Sequence, residues 1–165
     1  MTLLAQNVQR PVKLAHGDLQ RALVPLAGYT NFGAGNTGHT VYKGAIVVSD
    51  VSDTDGYFRG VPATGTTAMV AGDIFGGIAA EKQVVDSSTL ADGAVELSVY
   101  RNGLWGFPKG SIAATDVGAP VYATDDNTIS LTATDALWIG YLEGVDATYA
   151  WVNIEPAFLR ANAAT

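Results

Sequence analysis

Two histidines, His16 and His39, are the only imidazoles in a chain of 165 residues that has no cysteine. Either could serve as a general base, yet no Ser or Cys nucleophile motif accompanies them. A structural zinc site would want thiolates or more imidazoles than these two. The string Gly33-Ala34-Gly35-Asn36-Thr37-Gly38 matches G-x-G-x-x-G. A dinucleotide fingerprint needs a strand before it and a helix N-terminus after it, where the phosphates sit. Here the residues that follow, HTVYKGAIVV, read as strand, so the glycine string is expected to be a loop. Asp53-Thr54-Asp55-Gly56 shares part of a calcium loop but lacks its closing Glu and its flanking helices, which leaves turn chemistry. Asp125-Asp126-Asn127 reads the same way, as an exposed hairpin tip. Trp105, Trp138 and Trp151, with seven Tyr, could stack sugars if their rings shared an outward face. The apolar stretches around Trp138 and Trp151 predict core placement instead. No enzyme activity, cofactor or metal site is expected from these patterns.

The elements that would position these residues are short strands. Gly, Ala, Thr and Val are plentiful and charged residues are 15% of the chain, a composition suited to tight turns and strands. The segment AVELSVYRNGLWGFP, residues 94–108, is the strongest local signal. Asn-Gly between apolar runs predicts a two-residue type I′ hairpin, because both central residues need positive φ. Tyr100 would then oppose Trp105. Alternation puts Val95, Leu97, Val99 and Leu104 on a core face. Tyr100, Trp105 and Phe107 share the other face, which needs a cover: another part of the chain, a second subunit or a ligand. Pro108 should end the second strand.

Further strands are predicted at 41–49, 57–63, 73–80, 82–86, 118–124, 128–132, 137–143 and 148–155, with turns at 50–56, 125–127 and 144–147. Gly76, Gly77, Gly106 and Gly140 lie inside strand patterns and suggest bulges or corners. The fold class is therefore all-β, a small barrel or sandwich of short antiparallel strands. Residues 1–40 differ: their leucines and valines share no period, and Pro11 and Pro25 interrupt them. They are expected to form an extended N-terminal arm with a short helix over residues 18–23, before a barrel domain at 41–156 and a frayed tail at 157–165. The arm should be separable, so that loss of residues 2–14 leaves the barrel folded.

Charge divides along the same line. Residues 1–43 hold four basic groups and one acidic, whereas the remainder holds five basic and fifteen acidic. An acidic body argues against nucleic-acid binding, and a basic arm could steer it onto an acidic protein surface. No run approaches the roughly 20 apolar residues of a membrane helix, and the N-terminus lacks the apolar core of a signal peptide.

Four segments, in this order, carry a resemblance: GDIFGGIAAEKQ (72–83), GAVELSVYRNGLWGFPKG (93–110), DVGAPVYATDDNTIS (116–130) and LWIGYLEGV (137–145). Together they resemble the small β-barrel decoration, or cement, proteins of tailed-phage capsids. The resemblance implies a non-catalytic virion protein on the outer capsid surface, bound to the major capsid protein and stabilising the coat lattice, often as a homotrimer. On that reading Leu3, Leu4, Val8, Arg10, Pro11, Val12, Lys13 and Leu14 are the expected capsid contacts. Tyr100, Trp105 and Phe107 are the expected subunit interface. The alternatives are a carbohydrate- or receptor-binding β-module of a virion fibre or surface protein, and a tail-tube or head-completion component.

Overall fold

Leu97 and Val99, and likewise Val121 and Ala123, are buried while the residues flanking them are not, the period of two that makes a strand. The computed structural model describes residues 6–13, 19–28, 39–49, 56–60, 73–89, 91–133, 137–154 and 156–157. Over these it is all-β. The strands are β1 (Val12–Lys13), β2 (Arg21–Pro25), β3 (His39–Val41), β4 (Ile46–Ser49) and β5 (Phe58–Gly60), followed by β6 (Ile74–Ala79), β7 (Gln83–Val85), β8 (Glu96–Tyr100) and β9 (Leu104–Pro108). The last four are β10 (Pro120–Ala123), β11 (Ile129–Ser130), β12 (Leu137–Val145) and β13 (Tyr149–Asn153). One antiparallel sheet has the order β1-β9-β13-β12-β10-β11 and a second has β2-β8-β6-β4-β5, while β3 and β7 form a separate ribbon.

The layers follow from β4. Ile46, Val47 and Val48 are all fully buried, which a strand facing water on one side cannot achieve. Ile46 and Val48 join Phe75 and Ile78 in a core shared with Phe107, Val121, Ile139 and Val152 of the six-stranded sheet. Val47 faces the opposite way, into a second core with Leu97, Val99, Val41 and Val85, the last two from the ribbon. The five-stranded sheet is thus the middle layer.

The predicted hairpin at 94–108 does not form. β8 pairs with β2 and β6, β9 pairs with β1 and β13, and Asn102-Gly103 carries the chain from one sheet to the other. The groups that would close a two-residue turn are used elsewhere. Asn102 Oδ1 accepts the Gln20 N–H at 2.7 Å. Arg101 N–H donates to Gln20 O, and Gly103 O accepts from Ile154 N–H. Tyr100 and Trp105 still touch, with ring centroids 5.1 Å apart, but across the gap between sheets.

The N-terminal stretch takes the positions the hairpin would have filled. Val12 sits opposite Trp105 and Arg21 opposite Tyr100, so β1 and β2 are edge strands of the two sheets. The helix expected to run to Leu23 is replaced there by β2. Ala22 and Val24 turn inward against Val99 and Leu97, and Pro25 is tolerated because the strand is an edge. Removing residues 2–14 would strip a strand from the six-stranded sheet. At the other end, Ala157 is buried in the shared core.

Other expectations hold in part. β10 pairs with β11 across residues 125–127, β12 pairs with β13, and β9 ends at Pro108. The predicted strand 41–49 is split by a turn between β3 and β4. Register shifts mark the β4–β6, β10–β12 and β12–β13 pairs, next to Gly77, Gly140 and Gly144. Gly106, by contrast, pairs in register with Trp151. The glycine string 33–38, the acidic turn at 50–55, His16 and the His39 side chain lie outside the described residues.

Candidate functional site: the docked N-terminal segment and the outer sheet face

Arg10 is buried to 3% exposure and fixes the N-terminal segment to the body. Its Nε donates to Gly44 O. One terminal nitrogen donates to Asn127 Oδ1 at 2.8 Å and to Asp126 O at 3.3 Å. The guanidinium lies 4.3 Å from the Phe107 ring centroid, a cation–π position. Burial lowers its pKa to about 10, opposed by the nearby Asp126 and Asp125 charges. The side chain remains a cation at neutral pH, held by carbonyls, a carboxamide and a ring.

This anchor corrects the expectation of an exposed tip at 125–127. Asp125 and Asp126 are buried. Asp125 Oδ1 accepts the N–H groups of Asn127 and Thr128, and Asp126 O accepts from Ile46 N–H. The tip folds inward because it supplies part of the cradle for Arg10.

The neighbouring residues dock in series. Val8 N–H donates to Lys43 O, and Gly106 N–H donates to Pro11 O. Lys13 Nζ sits 3.8 Å over the Trp151 ring, whose Nε1 donates to Asp146 Oδ2 at 2.8 Å. The Asp146 carboxyl is held below its usual range by N–H groups of Tyr149 and Thr148, then by the Trp151 indole and the Lys13 charge. Between this segment and the body lies a cavity of about 70 Å³ lined by Val8, Val12, Leu19 and Trp105. That volume suits a few waters and is well short of the few hundred Å³ of a ligand site.

The expected contact residues therefore separate into groups. Arg10 is buried, Val8, Pro11 and Val12 are half-buried against the chain's own body, and Lys13 is exposed. Leu3, Leu4 and Leu14 lie outside the described residues. Of the expected interface rings, Phe107 is 0% and Trp105 is 4% exposed within the single chain, and Tyr100 is half-buried. Their cover is the chain itself: Arg10 over Phe107, and Val12 and Leu19 packed against the core that contains Trp105. Neither buried ring has surface left for a neighbour.

A second surface was missed in the sequence. Register places Tyr122 opposite Trp138, and Tyr141 between Pro120 and Asn153. Cross-strand partners share a face, and the alternate residues Val121, Ala123, Leu137 and Leu142 belong to the core. By register Tyr122, Trp138 and Tyr141 thus fall on the outer side of the six-stranded sheet, where Trp138 also packs against the core. Tyr141 is 43% exposed, and its ring meets Trp138 edge-on, with centroids 5.5 Å apart and planes at 75°. Trp151 is buried, beneath Lys13, and Trp138 is half-buried and packed against the shared core, so the expected core placement holds in part for both. Alternation in PVYA and LWIGYLE was the signal that could have found the face.

Among the described residues no three His, Asp or Glu side chains gather as metal ligands, and no helix is long and apolar enough to cross a membrane. Comparison with family models, with curated proteins and with solved structures finds no match to this chain.

Proposed function

We propose that the protein decorates the head of a tailed phage. It binds the outer surface of the coat lattice through the major capsid protein and stabilises that lattice without catalysis. The observation that carries the reading is where the four resembling segments lie. Residues 72–83, 93–110, 116–130 and 137–145 supply β6 and β9 to β12, which form most of the shared core, and β8, which lines the second, so the resemblance follows packed strands and not scattered loops.

Multivalency supplies the physical rationale. Many copies on one shell add small binding energies, so each contact can be weak. A cyclic cluster of copies would close such contacts, and the resemblance favours a trimer. The β2 edge offers surface for this: Leu23 is 63% exposed. Leu3, Leu4 and Leu14, which flank the docked segment in sequence, and the exposed Lys13 are the coat-contact candidates that this reading retains.

The test mixes purified protein with emptied, expanded phage heads and measures its copy ratio to coat protein after sedimentation. Saturation at a fixed ratio is expected. Failure to co-sediment at any micromolar concentration overturns the proposal.

A further inference from the structure

We infer that the outer face of the six-stranded sheet is a binding platform for a neutral oligosaccharide, centred on Tyr141, Trp138 and Tyr122. The inference does not depend on capsid decoration.

Three observations converge. The first is the aromatic surface itself. Tyr141 and Trp138 meet edge-on, so the exposed Tyr141 ring can present a face to the C–H side of a sugar. The second is the polar rim. Asn153, the cross-strand partner of Tyr141, donates its Nδ2 hydrogen to Glu143 Oε1 at 2.6 Å, and Glu143 is exposed. An ionised carboxylate beside a carboxamide accepts from and donates to adjacent hydroxyls. The third is continuity. Ser130, opposite Tyr122, also lines an open cleft of about 360 Å³ whose walls include Lys109 and Asp116. A chain of sugar rings could pass from Tyr141 across Tyr122 towards that cleft.

Size and charge favour a saccharide over the other occupants. Aromatic side chains bury roughly 150–250 Å² each when fully covered. Three rings less than half exposed thus offer at most about 300 Å². A stable protein interface needs about 800 Å² per partner. The rings match one or two sugar rings, whereas a second copy would have to draw most of its contact from the surface around them. Glu143 at its rim disfavours phosphate or acidic ligands.

The test titrates the intact protein with maltohexaose, cellohexaose and chitohexaose. Intrinsic fluorescence reads the surface, because Trp105 and Trp151 are buried and Trp138 is the ring at the patch. Saturable change with at least one sugar is expected. Tyr141→Ala should weaken it about tenfold or more and Glu143→Gln by a smaller factor, with unaltered thermal melts for both. The inference fails if no sugar changes the emission at millimolar concentration, or if Tyr141→Ala binds as well as the parent. It fails too if sedimentation shows a dimer that Tyr141→Ala abolishes, since a second copy would then be the occupant.

Discussion

β8–β9 and β12–β13 look alike as sequence: two apolar runs joined by turn residues. Only the second is a hairpin. In the loop between β12 and β13 the turn is satisfied locally. Asp146 Oδ1 accepts the N–H groups of Thr148 and Tyr149, and Asp146 N–H donates to Tyr149 O. At Asn102-Gly103 the corresponding groups bond Gln20 and Ile154. A turn dipeptide proposes a hairpin, and remote strands that satisfy the same backbone groups can take its place. β1 and β2 do so here, one on each separated strand.

Glycine substitution should separate the two regions most clearly. In β12, Gly140 has φ of +144°, and an added Cβ would collide with the backbone carbonyl of Asn153. Gly140→Ala is expected to cost more than about 3 kcal/mol in chemical denaturation. At the crossover, Gly103 also has positive φ, but a Cβ there meets the ends of Leu19 and Trp105 side chains. Gly103→Ala should cost about 1–2 kcal/mol. Equal costs would mean that the crossover is as rigid as the hairpin.

Asn102→Ala probes the remote partner directly. It removes the acceptor for Gln20 N–H and should lower stability by about 1–2 kcal/mol. The same equilibrium denaturation measures it. An unchanged midpoint would indicate that β1 and β2 hold the strands apart without Asn102.

The smallest effect is a pH response confined to the true hairpin. Asp146 is depressed in the folded state, chiefly by the Tyr149 and Thr148 N–H groups. Its contribution is therefore present above the ordinary carboxylate value, near 3.9, and fades as pH falls through the lower folded value. The Trp151 indole N–H resonance should move in that acid range and stay flat in Asp146→Asn. Movement that persists in the variant would assign the titration elsewhere.

What was legible in the sequence was what alternation and local turns control. β10 to β13 and the all-β class follow from residues such as Val121 and Ala123, whose burial period is two. What was hidden depended on long-range pairing. Leu23, Val24 and Leu26 show no strand period, because β2 is short and its identity comes from β8. Arg10 reads as a basic group of an arm reaching for a partner until the carbonyls of Gly44 and Asp126 gather round it. Tyr122 and Tyr141 carried only an alternation signal, which becomes a shared face once the strands have registered.

The Arg10 anchor has a consequence for synthesis. Its cradle at Asp126 lies 116 residues downstream. At about 5–20 residues per second, a nascent Arg10 would wait on the order of ten seconds for that partner to be made. For the first part of that interval β1 and β2 lack β9 and β8, their partners, and are open to wrong ones. The earlier-made segment is thus secured after the strands it clasps, and its docking fastens the sheets like a buckle.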